Sequence, residues 1–110
     1  MSSAYTVVGD VMIEIKPLII ENERCLGILI YLPKCTVRMI MNMKIICLDD
    51  SFDLYAIEKR CPVPLIGCAS SSFDKMLDDR CTAVSDQARA LGINEMMNVK
   101  EAIACAVQSV

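Results

Sequence analysis

The chain has 110 residues, 55% hydrophobic and only 5% aromatic, with no tryptophan, no histidine and a formal net charge of −3. That length makes one domain with a modest core, and so large an apolar fraction exceeds what one small copy can hide, so burial against further copies of itself is expected. The scattered Lys and Arg, without interleaved aromatics, exclude a nucleic-acid backbone site, which needs clustered cations to displace condensed counterions.

The apolar excess is no membrane signal. Runs such as Leu26 to Leu32 fall far short of the ~20 residues a membrane-spanning helix needs. The opening MSSAYTVVGD has no basic region followed by an apolar stretch, so a cytoplasmic location is expected. Seven cysteines stand at 25, 35, 47, 61, 68, 81 and 105. None forms a C-x-x-C pair, and with no histidine available the expectation is reduced thiols acting as small hydrophobes, with no structural zinc site.

Val11 to Lys16 alternates, with Val11, Ile13 and Ile15 on one face and Met12, Glu14 and Lys16 on the other, the period of a half-buried strand. Pro17 either ends it or places it at a sheet edge, because proline cannot donate to a ladder, and Leu18 to Ile20 are a possible extension. Glu21 to Arg24 is a polar turn. Cys25 to Leu32 is apolar on both faces, as in a strand covered on both sides, and Gly27 within it predicts a bulge or close packing. Pro33-Lys34 turns the chain into Val37–Met41. Asn42, a residue that tolerates the left-handed conformation, turns it again into Lys44–Leu48.

A first helix is predicted over Phe52–Arg60, capped by Asp50 or Ser51, with Asp53 in its first turn and Leu54, Ile57 and Cys61 as its buried stripe. Pro62 and Pro64 stop it, and Val63 to Ala69 reads as a last strand near a sheet edge. Ser71-x-x-Asp74 has the form of a capping box opening a short helix through Leu77. Asp78 or Asp79 caps a helix from Arg80 to Leu91, with Cys81, Val84, Ala88 and Leu91 on one face and Gly92 as its left-handed stop. Asn98 caps a final helix with Glu101 reaching back, and Val99, Ile103 and Val107 face inward. Strands first, then one strand between helices, then helices give an α+β class. The expected architecture is an N-terminal, mostly antiparallel sheet of about four strands, one further strand, and C-terminal helices packed on the sheet.

Chemistry, if present, concentrates at the end of the fourth strand. Cys47 is the one candidate nucleophile or redox thiol. It would need a cation or a helix dipole to activate it, since no histidine exists to pair with it, and three neighbouring acids oppose ionisation. Asp49, Asp50 and Asp53 are candidate ligands for a hard cation. LDDSFD lacks the alternation of a calcium loop, however, and capping of the following helix explains the same residues. The serine run at 70–72 suits either an anion or a cap. Met39, Met41 and Met43 repeat with strand periodicity, which fits a core or subunit interface better than a soft-metal site. No cofactor is implied.

Three stretches carry a resemblance. Ile45-Ile46-Cys47 stands where one family has G-Y-x-M-C-G. Phe73 to Leu77 matches its T/S-x-D-D-L-L helix start. Gln87 to Ile93, with Met97 and Glu101-Ala102-Ile103, matches A-x-x-L-G-I followed by G-M-S-G-x-E-A-L. In these segments, spread in order over Val11 to Val107, the chain resembles the YunC-like family, a bacterial and archaeal domain of unknown function. The resemblance implies a small α+β domain that forms tetramers through its N-terminal strands, and it implies no reaction. Met43, Leu48, Met96 and Val99 replace family glycines and Asn98 replaces a serine, which marks a divergent member and weakens any site built on close backbone approach. Cys47 survives.

Two functions are therefore expected. The favoured one is a non-catalytic, cytoplasmic homo-oligomer that binds an unidentified small molecule. The alternative is an enzyme or redox protein that uses Cys47 beside an acidic, metal-binding cluster.

Overall fold

Antiparallel hairpins build the first half of the sheet. The computed structural model describes residues 4–8, 11–69 and 72–108. Strands β1 (Ala4–Val8), β2 (Val11–Ile20), β3 (Glu23–Tyr31), β4 (Thr36–Met41) and β5 (Ile46–Leu48) pair in sequence order, each antiparallel to the last. Helix α1 (Leu54–Arg60) then crosses to β6 (Leu65–Gly67), which lies parallel to β5. After α2 (Phe73–Asp78), the short β7 (Ala83–Val84) adds antiparallel to β6, and α3 (Asp86–Ala90) and α4 (Val99–Gln108) complete the described chain. The sheet order is β1-β2-β3-β4-β5-β6-β7, and the class is α+β.

The strand pattern is richer at both ends than the sequence reading. Ala4–Val8 had no assignment as a strand, although Tyr-Thr-Val-Val before Gly-Asp carries the β-branched and aromatic composition of one. β2 runs through Pro17 to Ile20. Among the described residues its pairing with β1 extends no further than Ile15, and Pro17, which has no N–H to donate to a ladder, lies beyond it. The β2–β3 turn is only Glu21-Asn22, both at positive φ (51° and 66°), as a two-residue hairpin turn of this twist demands. At the β4–β5 turn Asn42 works through its side chain, with Oδ1 accepting from the Lys44 and Ile45 N–H groups at 2.7 and 3.0 Å. This delays β5 to Ile46. Gly27 interrupts no pairing, so the bulge is replaced by close packing.

The helical half differs more. Asp53, not Asp50 or Ser51, caps α1, its carboxylate accepting from the Ala56 N–H at 3.2 Å, and Cys61 is exposed. Val63–Ala69 shrinks to β6, which is no edge strand. It lies between β5 and β7, with Pro64 just outside it and its carbonyl accepting from the Ile46 N–H. Ser71 lies outside the described residues, and Ser72 caps α2 by accepting from the Lys75 N–H. The helix expected over Arg80–Leu91 is replaced by a bridge from Arg80 to Asn98, then β7, then α3. Ser85 decides this, because its buried hydroxyl accepts from the Leu65 N–H at 2.9 Å and caps α3 through the Ala88 N–H at 3.2 Å. Gly92 does stop the helix at φ 94°. Asn98 and Glu101 form a reciprocal box at the head of α4, at 2.8 and 3.1 Å.

The helices α2, α3 and α4 bury one face of the sheet, joining Ile20, Cys25, Ile40, Cys47, Ile66 and Cys68 to Met76, Ala88, Val99 and Ile103. On the reverse face, α1 covers only the β5–β6 end, where Leu54 and Ile57 meet Leu48, Leu65, Ile46 and Met39. Among the described residues no helix is long and apolar enough to cross a membrane.

Candidate functional site

The three acids that follow β5 take three separate roles. Asp49 is 3% exposed and locks the end of β5 to β4. Its N–H donates to the Arg38 carbonyl at 3.2 Å, and its Oδ2 accepts from the Arg38 N–H at 2.6 Å. Its Oδ1 accepts from the Ser51 N–H at 2.9 Å. A buried carboxylate is tolerated here because backbone dipoles solvate it. Asp50 is exposed, and Asp53 is the exposed cap of α1. All three border a cleft of about 200 Å³ with Gly67, Cys68 and Thr82. This cleft opens at the carboxyl ends of the parallel pair β5 and β6, the usual ligand end of such a pair. Among the described residues no three carboxylates or thiols gather around one point suited to a metal.

Cys47 lies beneath that cleft and does not line it. Its side chain is fully buried, with Sγ 3.7 Å from Cys68 Sγ. The hydrogen bond shared with Cys68, followed by burial, pushes the Cys47 thiol well above its ordinary value. Burial first, and then Cys68, pushes Cys81 up to about 11. These groups are protonated at neutral pH, and a protonated thiol is a poor nucleophile and a poor metal ligand. The structure brings together Cys47 and Cys68, 21 residues apart, rather than Cys47 and the acids. Lys44 is exposed on the β4–β5 turn. Of the serine run, Ser72 is a cap and positions 70 and 71 lie outside the described residues.

The larger features lie on the two faces of β2–β4, where sequence reasoning had not placed a site. The pairing Lys16↔Gly27↔Ile40 and Leu29↔Arg38 puts Glu14, Lys16, Tyr31 and Arg38 on the helix side of the sheet, beyond the edge of α2. There, with Leu29, Ser72, Phe73 and Asp74, they enclose a cleft of about 270 Å³. The Tyr31 hydroxyl donates to Glu14 Oε1 at 3.0 Å, and this bond pushes the Tyr31 phenol up from its ordinary value. On the opposite face the pairing Ile15↔Ile28↔Met39 aligns Ile13, Ile15 and Ile19 with Leu26, Ile28, Ile30, Val37 and Met41. All of these are half-buried or exposed, Ile19 at 63% and Leu26 at 45%. At the turn end of this face an apolar groove of about 580 Å³ runs between Pro17, Ile19, Leu26, Met41 and Met43. The alternation of Ile13-Glu14-Ile15-Lys16 signalled two unlike faces. Which strands lie beside them depends on register, which no single strand encodes.

Neither the family models nor the curated proteins compared with the chain give a match. Among solved structures, the crystal structure of a protein of unknown function from Thermoplasma acidophilum is similar. It is 15% identical with a TM-score of 0.78, and the similarity covers 92% of this chain and 99% of that one. At that identity the likeness concerns the fold alone.

Proposed function

We propose that this chain is a non-catalytic, cytoplasmic homo-oligomer, a tetramer assembled through its N-terminal strands, that binds a small molecule. The same reading takes it as a divergent member of the YunC-like family.

One observation carries the assembly. Where β2–β4 meet solvent beside the helices, the sequence supplies Glu14, Lys16, Tyr31 and Arg38. Where the same strands turn away, it supplies isoleucine, leucine and methionine, and Arg24 at the turn end is the charge among the described side chains of that face. A solvated sheet face alternates to polar residues, and this one does not. Strand rise and spacing make it roughly 30 by 14 Å, on the order of 400 Å² in plan, the size of the largest apolar patches that proteins expose, which are often functional.

A second copy is the fitting occupant. A face so poor in charge opposes no like charges when it meets itself across a two-fold axis, and Met39 and Met41 adapt to either packing. A tetramer needs a second contact, and β1, the outermost strand of the sheet among the described residues, offers it by edge pairing.

The alternative, an enzyme at Cys47, meets a thiol held protonated inside the core. Light scattering at micromolar concentration tests the assembly. The expected mass is four times the 12.2 kDa chain, and a mass equal to one chain overturns the proposal.

A further inference from the structure

We infer that the cleft between the sheet and the start of α2 binds a small anion carrying a carboxylate or phosphate group, held by Lys16 and Arg38. This names the site and ligand class for the small-molecule part of the proposed function and is independent of the oligomeric state.

Three observations converge on it. The first is that two cations line the cleft without ion pairs. The ion pairs of the described residues join Arg89 to Glu95 and Lys100 to Asp78, and neither Lys16 nor Arg38 has a carboxylate partner. The two carboxylates of the lining balance these charges in number without pairing with them: Glu14 accepts from the Tyr31 hydroxyl, and Asp74 is exposed. A guanidinium fork and an ammonium facing a common space suit a carboxylate or phosphate better than they suit water alone.

The second is preorganisation. Arg38 is half-buried on a central strand, and its main chain is held from behind by the buried Asp49 carboxylate at 2.6 Å. Lys16 stands two strands away on the same face, opposite Gly27. Both cations thus rise from rigid sheet, where a site is more precise than on loops.

The third is shape. Phe73 lies over Gly27 so closely that a Cβ there would come within 2.9 Å of its ring. The ring therefore forms a fixed apolar wall beside the cations. The cleft, about 270 Å³ and open to solvent, accommodates a small metabolite or the charged end of a larger one.

The test is a titration of the full-length chain followed by amide NMR, with inorganic phosphate and malonate as separate probes at constant ionic strength and sodium chloride as the control. The expected result is saturable shifts at Lys16, Tyr31, Arg38 and Phe73 for one or both probes below ~10 mM, the range that a few charged hydrogen bonds sustain. Which probe binds separates phosphate from carboxylate recognition. Arg38→Gln and Lys16→Gln should each weaken binding about tenfold or more, with Arg38→Lys retaining part of it. Unfolding midpoints of the variants within experimental error of the parent separate loss of binding from loss of fold. Shifts no larger than those with chloride, or binding unaltered in both glutamine variants, overturn the inference. Because these shifts are read equally in a monomer or a tetramer, failure here leaves the assembly standing, and a monomeric mass leaves this site standing.

Discussion

Phe73 and Gly27 occupy each other's space: Cζ of the ring lies 2.9 Å from where a Cβ on Gly27 would stand, and Leu18 Cδ1 closes the other side at 3.0 Å. The glycine sits in the middle of β3 with unbroken pairing to Lys16 and Ile40. The sheet therefore gives up a side chain there so that the start of α2 can lie flat upon it.

Gly27→Ala should consequently destabilise the chain by ~1–3 kcal/mol, the usual cost of overpacking, even though alanine is the better strand residue. Phe73→Leu in the same background should recover part of that loss. A double-mutant cycle by urea unfolding measures this, and additivity of the two changes would show that the ring does not press on Gly27.

Asp49→Ala removes acceptors from the N–H groups of Arg38 and Ser51 and leaves the part-buried Arg38 N–H without that partner. The expected cost is ~2–3 kcal/mol, against at most ~0.5 kcal/mol for the exposed Asp50→Ala. Equal effects in equilibrium unfolding would mean that Asp49 is a ligand-directed acid and not the lock between β4 and β5.

The chain's alternation was legible where one residue decides. Glu14 and Lys16 against Ile13 and Ile15 gave β2 its two faces, Gly92 stopped α3, and Asn98 with Glu101 opened α4. It failed where two distant segments decide together. Cys81, Val84, Ala88 and Leu91 have helical spacing, yet Val84 pairs with Ile66 and the Ser85 hydroxyl binds Leu65, so a neighbouring strand overrode the local period. The acids beside Cys47 looked like one site because they are adjacent in sequence. In space, Asp49 turns to β4, Asp53 to α1, and Cys47 to Cys68. The cleft residues Glu14, Lys16, Tyr31 and Arg38 meet only through the register of three strands, which alternation alone does not fix.

Thiol reactivity should follow burial. Cys35 and Cys61 are exposed, and Cys47 and Cys68 are fully buried. In the folded protein at neutral pH, iodoacetamide should label the first pair quickly and the second only on unfolding, as read by peptide mass spectrometry. Rapid labelling of Cys47 would return it to the list of catalytic residues.

The raised thiols also set an alkaline limit. Cys81 is pushed up to about 11 in the folded chain, so its contribution is fully present below the ordinary thiol value near 9 and is lost as pH rises through 11. Over that window the unfolded chain releases the proton first, and stability falls by at most about 1.4 kcal/mol per pH unit for one such thiol. Urea unfolding at pH 8 and pH 10.5 should show a smaller loss between the two for Cys81→Ala than for the parent. An identical loss would contradict the assignment.

The open apolar face of β2–β4 carries the proposed assembly. The most direct test is the solution mass of the Ile15→Lys/Leu26→Lys variant beside that of the parent, with circular dichroism to confirm that both are folded. These side chains are 39% and 45% exposed in the single chain, so the charges cost little in a monomer and much in an interface that must bury them. The expected result is an oligomeric parent and a folded variant of 12.2 kDa or a smaller assembly than the parent. A monomeric parent, or a variant that keeps the parent's full mass, would contradict it.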